Sequence, residues 1–255
     1  MVLGGDGTIG EVVAGCMRAD GSGMSDPAIR IAVIHQGTGG DVARGLGVPT
    51  DEAGAIDVAI NGEPRSIDVG VASFIDAEGH TATRGFVSCA NVGMSADVVA
   101  RVTGRLKRLG RRGSFAVATT AGLMRNRARW AHLATDRGAD FDRAIVDVAI
   151  CNNRYMGGGM LVAPDASMDD GRFDVVVISA ASRSHLLRVF PRIYSGGHVA
   201  DSAVEVLGAG WVSIGSVAGR AAEQVVLDGE LVGRTPARFS VLPRAIEVLV
   251  PRSAV

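Results

Sequence analysis

Two glycine-rich turns constrain what this chain can fold into more than any other feature: Gly4-Gly5-Asp6-Gly7-Thr8-Ile9-Gly10 and Gly37-Thr38-Gly39-Gly40-Asp41. The first leaves the apolar start and enters a pattern with Val12, Val13, Cys16 and Met17 at helical spacing, which predicts a helix over 9–19. The second leaves a β-branched run, 29–34, that reads as one buried parallel strand, and enters a second helix. Strand, helix and strand make an α/β unit. Ligands of open α/β sheets bind at the carboxyl ends of strands, so both turns line one crevice. Glycine lets the backbone turn tightly and lets another group come close. Backbone N–H groups at such a turn, ahead of a helix N-terminus, form a site for phosphate. Asp6 would hold a hydroxyl or a metal-bound water beside it, while Thr8 and Glu11 have the spacing of a capping box. The residues alone leave plainer readings open: a glycine turn with Asp6 as a cap, and an Asp41–Arg44 local salt bridge.

Residues 51–60 read as a helix with Ala53, Ile56 and Ala59 inward. The texture then changes: 65–74 and 83–89 alternate with period two around a polar turn at 76–79, a β-hairpin. A boundary between an α/β region and a β-rich region is therefore expected near Asn61-Gly62, giving domains 1–62 and 63–255, the last residues packing back on the first. Strands are expected over 129–135, 144–152, 173–179, 204–216 and 241–250, and a helix over 182–190. Ser95 is placed as the cap of a helix to 109, and Ser114 as the start of another to 124. His185 and His198 have no partner at ligand spacing and read as surface residues.

Gly4-Gly5-Asp6-Gly7-Thr8 followed by Glu11-Val12 resembles the nucleotide-binding motif of the diacylglycerol kinase catalytic family, which includes bacterial lipid kinases and sphingosine kinases. Its core also occurs in NAD kinases and phosphofructokinases; it is neither a Walker A loop nor a Rossmann fingerprint. Gly37, Thr38, Asp41, Ala43, Arg44, Leu46 and Gly47 match the family's second signature, with Gly40 where Asn is usual and His35 where proline is common. Asn91 and Gly93 resemble its Asn-x-Gly turn. Gly157, Gly158 and Gly159, then Pro164, then Asp170-Gly171-Arg172-Phe173-Asp174-Val175, resemble its glycine turn and acidic element, with Phe173 for the usual Leu. Leu227-Asp228-Gly229-Glu230 resembles its late motif. The residues alone read that last stretch as an Asp-Gly hairpin with Glu230 toward water.

The resemblance implies an α/β nucleotide-binding domain followed by a larger, antiparallel, β-sandwich-like domain, the NAD kinase/diacylglycerol kinase-like fold. It implies transfer of the γ-phosphoryl group of ATP, with Mg²⁺, to the hydroxyl of diacylglycerol or a related lipid alcohol. Gly4, Gly5, Asp6, Gly7, Thr8, Ile9, Gly10, Gly37, Thr38 and Asp41 would bind nucleotide. Asp228 would be the general base, with Glu230 and Asp6 supporting it. Asp170, with the carbonyls of Ser167 and Arg172, would hold a structural Mg²⁺. In the family the first loop follows several strands, whereas here only Met1-Val2-Leu3 precede it, so the first domain is expected to be incomplete at its start and to bind ATP weakly. The alternatives are an NAD kinase-type enzyme, against which stands the lack of a later Asn-Glu nicotinamide-site motif, and a non-catalytic nucleotide- or lipid-binding protein.

The formal net charge of −1 offers no general attraction to nucleic acid. Between Asp97 and Asp136 no acidic residue occurs, while Arg101, Arg105, Lys107, Arg108, Arg111, Arg112, Arg125, Arg127 and Arg129 do. That segment reads either as a solvated face or as a patch for anionic lipid headgroups. Phe115 and Trp130 are too few for a base-stacking platform. Cys16, Cys89 and Cys151 form no Cys-x-x-Cys pair and read as reduced core residues. With no signal peptide or apolar run of about 18 residues, a cytoplasmic protein with peripheral membrane contact is expected. A homodimer is left open.

Overall fold

A computed structural model describes residues 1–18, 20–26, 29–36, 39–101, 118–122, 124 and 128–252. Strands β1 (Val2–Gly4) and β3 (Val33–His35) pair in parallel, Val2 opposite Val33 and Gly4 opposite His35, with α1 (Asp6–Gly15) packed on β1. The apolar run at 29–34 is not one strand. β2 (Arg30–Ile31) pairs instead with Glu247 and Val248 near the end of the chain, and Ala32, between β2 and β3, gives its carbonyl to the Val2 N–H at 2.8 Å. A nearly continuous apolar run hides this change of partner, because Ile31, Ala32, Val33 and Ile34 are all buried.

Helix α2 (Asp41–Gly45) follows, then α3 (Glu52–Asn61), capped by the Asp51 carboxylate on the Gly54 N–H at 2.9 Å. Its buried face carries Ala55 and Val58, whereas Ala53 and Ile56 are exposed and Ala59 is half-buried. The expected face was the wrong one. Apolar residues occupy both stripes of this helix, so periodicity alone could not choose between them.

The remaining strands are β4 (Glu63–Ile75), β5 (Thr81–Phe86), β6 (Cys89–Gly93), β7 (Arg129–Thr135), β8 (Asp140–Cys151), β9 (Tyr155–Met156), β10 (Met160–Leu161), β11 (Phe173–Ser179), β12 (Val204–Ala209), β13 (Trp211–Ser216), β14 (Gln224–Leu227) and β15 (Glu230–Val250). Helix α4 (Met94–Arg101) follows β6 and α5 (Arg183–Val189) follows β11. The order β8-β6-β14-β15-β13-β7 closes on itself, because β7 also pairs with β8. The first half of β8 pairs with β7 and the second half with β6, which one long strand permits. The architecture is thus a small parallel α/β unit joined to a larger antiparallel, sandwich-like region.

Two large cores form. The first gathers Val13, Ile34, Val42 and Val58 with Ile246, Val248 and Val250. The second is built round Phe86, which stacks on Phe173 at 5.5 Å between ring centroids and meets Phe239 edge-on at 6.4 Å. Gly70 makes room for it: a Cβ there would lie 2.2 Å from the Phe86 ring. Strands β4 and β15 pass through both cores. A hairpin over 225–233 and a separate strand over 241–250 were expected; the hairpin forms, but its second strand runs on as β15, continuous from Glu230 to Val250. Its register against β4 shifts between Leu242 and Ile246, where Arg244 takes φ 49°. The buried Asp68 carboxylate holds this bulge by accepting the N–H groups of Arg244 and Gly171, each at 2.7 Å.

Candidate active site

The first glycine turn enters its helix earlier than the spacing predicted. Gly5 is the N-cap in extended conformation, no side chain caps, and Asp6 is already helical. Thr8 therefore lies inside the first turn, and no capping box forms with Glu11. The cause is the shape of the turn: a Cβ on Gly4 would sit 2.7 Å from Thr8 Oγ1, so β1 runs almost directly onto the helix. The first-turn N–H groups of α1 have no carbonyl one turn behind them, the arrangement that attracts an anion. Asp6 is buried, and its carboxylate accepts the Val42 N–H at 3.0 Å, which ties the first turn to the start of α2.

At the second turn Gly40 is the N-cap of α2 with φ 69°, in the left-handed region. A Cβ on Gly40 would meet His35 Nε2 at 3.0 Å. The two departures from the family pattern are therefore one feature, with the imidazole of His35 where a side chain at position 40 would stand. Asp41 is buried; its carboxylate pairs with Arg44 at 2.8 Å and accepts the Gly158 N–H at 2.7 Å. Gly157, Gly158 and Gly159 all have positive φ, so the triple-glycine turn curls back against α2. Asn153 reinforces the junction by donating to the Asp41 carbonyl at 2.8 Å. Gly37 and Thr38 lie outside the described residues.

Asp228 lies in the turn between β14 and β15 with φ 46°, a conformation Asp tolerates and most residues do not. Its carboxylate accepts the N–H groups of Val87 (2.8 Å), Ser88 (2.8 Å) and Cys89 (3.1 Å), the link between β5 and β6. Burial pushes its pKa up to about 6, against the lowering effect of those three donors, and the nearby Asp6 charge adds to the rise. A Cβ on Gly10 would lie 2.9 Å from Asp228 Oδ2. The second turn of α1 thus rests on the Asp228 carboxylate, and a long gap in sequence becomes a contact. Glu230 accepts from Arg84 at 2.7 Å, and its other oxygen is 3.9 Å from where a Cβ of Gly7 would be. The structure gathers Asp6, Asp41, Asp228 and Glu230 about the glycine turns.

Asp6, Asp41 and Asp228 also line a cavity of about 110 Å³. Its other walls are chiefly apolar: Val98 of α4, Val146 of β8, Ile178 of β11, and Leu186 and Val189 of α5. Two polar residues there were not expected. Asp147 is buried on β8 and accepts from Ser95 N–H (2.9 Å), Ser95 Oγ (2.6 Å) and Asn91 Nδ2 (3.2 Å); burial pushes its pKa up to about 6. Ser95 is therefore not a cap but the second residue of α4, held by Asp147. A lone carboxylate in the apolar run 144–151 was the signal that went unread. His198 is 1% exposed, donates its Nε2–H to the Val162 carbonyl at 3.0 Å, and is pushed down in pKa by burial. Since a carbonyl only accepts, Nε2 carries the proton. His185 pairs with Asp201 at 2.7 Å. His198 is therefore not the surface residue expected, whereas His185 stays partly exposed, with its side chain at 32%.

These two carboxylates make stability depend on pH in a defined direction. Both have folded pKa values above 3.8, so they bind protons more tightly folded than unfolded, and that stabilisation is lost as pH rises through about 6. For Asp147 the difference is on the order of 3 kcal/mol. Urea unfolding of the protein and of Asp147→Asn between pH 4 and 7 checks this. The unsubstituted protein is expected to lose stability relative to the variant by that order; parallel curves would refute it.

In the acidic turn at 167–172, Asp170 is paired with Arg172. Asp170 accepts from Arg172 Nε (2.8 Å) and from the Arg172 N–H (3.2 Å), and Ser167 donates to Asp169 rather than to Asp170. Among the described residues no group of three His, Cys, Asp or Glu could hold a metal ion. Of the basic segment, Arg105, Lys107, Arg108, Arg111, Arg112, Arg125 and Arg127, and the side chain of Arg101, lie outside the described residues. Arg129 pairs with Asp97 (2.6 Å) and Glu223 (2.9 Å). No helix among the described residues is long and apolar enough to cross a membrane.

Two family models match the chain: the diacylglycerol kinase catalytic domain over residues 1–72, and the YegS C-terminal NAD kinase beta sandwich-like domain over residues 88–250. A diacylglycerol kinase of Mycobacterium tuberculosis is 30% identical over 253 residues, covering 99% of this chain and 76% of the relative. A probable lipid kinase YegS-like of Shewanella frigidimarina is 29% identical over 251 residues, covering 98% and 76%. In fold, a putative diacylglycerol kinase from Bacillus anthracis superposes with a TM-score of 0.75 at 23% identity, covering 99% of this chain and 76% of that one.

Proposed function

The chain belongs to the diacylglycerol kinase family and is a lipid kinase, and from this we propose that it moves the γ-phosphoryl group of ATP to the hydroxyl of diacylglycerol or a related lipid alcohol. One observation carries the finer reading. Asp228 faces Gly10 of the glycine turn and also lines a cavity whose walls are largely apolar. A carboxylate so placed can touch a hydroxyl whose apolar remainder lies in that cavity.

In the proposed step the lipid hydroxyl gives its proton to Asp228. Its oxygen bonds to the γ-phosphorus, the bond from that phosphorus to the bridging oxygen breaks, and the electron pair leaves with ADP. A carboxyl group with its pKa pushed up to about 6 is ionised at neutral pH yet more basic than an ordinary aspartate. The first-turn N–H groups of α1 receive phosphate oxygens, and Asp6 holds the two nucleotide turns together through Val42. Asp6, Asp41 and Asp228 around the same cavity would repel a bare triphosphate. A Mg²⁺ carried in by the nucleotide would offset that charge. The turn at 167–172 fits a resident Mg²⁺ poorly, because an ion there must displace Arg172 from Asp170. Contact with an anionic membrane surface through the basic segment rests on its composition.

The test supplies ATP labelled on the γ-phosphate with diacylglycerol, other lipid alcohols, or NAD. Label is expected in the solvent-extracted lipid. Val99→Trp, which fills the apolar cavity, is expected to lower lipid phosphorylation at least roughly tenfold with ATP affinity unchanged. Label in NAD would overturn the substrate class, and full activity in the Trp variant would overturn the cavity's role.

A further inference from the structure

We propose that Arg84 is a further catalytic residue, a guanidinium that leaves Glu230 to hold the phosphoryl group during transfer. The inference rests on the reading that the first glycine turn holds the phosphates. The starting point is a charge imbalance. Asp6, Asp41, Asp228 and Glu230 surround the glycine turns, and the nucleotide adds more negative charge. Phosphoryl transfer spreads charge over three equatorial oxygens, and catalysis depends on groups that neutralise it. The chain has a single lysine, Lys107, in the basic segment far along the sequence from these turns. The guanidinium of Arg44 is bound to Asp41 and lies 5.4 Å over the Tyr155 ring.

Arg84 is placed differently. It stands on β5, with Nη2 2.7 Å from Glu230 Oε2. The second Glu230 oxygen approaches Gly7, in the first turn of α1, to 3.9 Å from a Cβ placed there. Arg84 thus reaches the phosphate-binding end of α1 through one carboxylate. The pair is also easy to open: the side chains are 33% and 43% exposed, and solvent-exposed ion pairs hold only weakly. Phosphate arriving at the helix end repels Glu230 and attracts the guanidinium, whose planar fork matches two phosphate oxygens. Three residues after Arg84, the Val87 N–H holds Asp228. One short segment would then carry both the cation for the transferred group and the anchor of the base. Arg84 forms no covalent bond in this step; it offsets charge while the new P–O bond forms and the old one breaks.

The experiment compares Arg84→Gln and Arg84→Lys with the unsubstituted protein in ATP and ADP titrations by calorimetry, in steady-state kinetics, and in melting temperature. Arg84→Gln is expected to lower kcat by roughly 10²-fold, the scale of losing one transition-state charge contact. It should weaken ATP but leave ADP binding and melting temperature unchanged, since the lost contact is to the terminal phosphate. Arg84→Lys should recover only part of kcat. Equal weakening of ATP and ADP, kcat within a few-fold of normal, or a fall in melting temperature matching the loss of activity would overturn the role of Arg84. If the unsubstituted protein binds neither nucleotide, the phosphate-site reading itself falls. The two failures are therefore distinct.

Discussion

Asp228→Asn is expected to lower turnover by roughly 10²-fold or more, the scale of general base catalysis, with ATP affinity retained. The carboxylate does two jobs, and the substitution touches both. As the base, it must be ionised, so activity of the unsubstituted enzyme should fall as pH drops through about 6. As a structural acceptor, it takes three backbone N–H groups. An Asn side chain has one acceptor oxygen and would turn an NH₂ toward one of those donors. The sequence alone predicts an unchanged melting temperature; the structure instead predicts a cost of about 1–3 kcal/mol for the unsatisfied group. Turnover must therefore be measured well below the melting temperature of the variant. Near-normal turnover would remove Asp228 as base and leave Asp6, which ties the nucleotide turns, as the next candidate.

Asp41→Ala should be the most destabilising change at the site. The carboxylate is buried and joins Arg44, the Gly158 N–H and the start of α2. Removing one member of a buried ion pair leaves the other uncompensated, at a cost of about 3–5 kcal/mol. Arg44 keeps 26% side-chain exposure, which places the expectation at the lower end of that range. The same change frees the second glycine turn from the triple-glycine turn, so ATP binding should be lost with it. Urea unfolding and nucleotide titration on the same samples check both. A stability change under about 1 kcal/mol would mean that Asn153 and the surrounding core hold the junction unaided.

The sequence showed which turns matter because their reasons are local. Glycines at 4, 5, 7 and 10, and an Asp-Gly between β-branched runs, announce backbone geometry that few other residues permit. Strands β7 and β11 were legible to the residue as well, the first from its alternation and the second from its β-branched run behind an Asp-Gly turn. What escaped reading depends on partners distant in the chain. Nothing local says that Asp68 steadies a bulge at Arg244, that Asp147 holds α4, or that His198 lies inside the fold. The split at Ala32 is hidden likewise, since β2 and β3 differ only in the strand each pairs with. The contact between Gly10 and Asp228 is the clearest case. The motif at each end was visible, but the packing of the β14–β15 turn on α1 that joins them comes from tertiary structure.

Strand β15 has a consequence for how the protein is made. Ile246, Val248 and Val250 belong to the same core as Val13 and Ile34, so a region made earlier is completed by residues made more than two hundred positions later. Chains usually fold domain by domain as they emerge from the ribosome, the earlier part first. Here the region of the glycine turns must wait, with its apolar surface uncovered, until residues 246–250 have left the ribosome. The antiparallel region between them holds most of its own strands and can settle sooner. A nascent chain arrested before Ile246 would therefore expose a half-built first core, a substrate for chaperones and proteases.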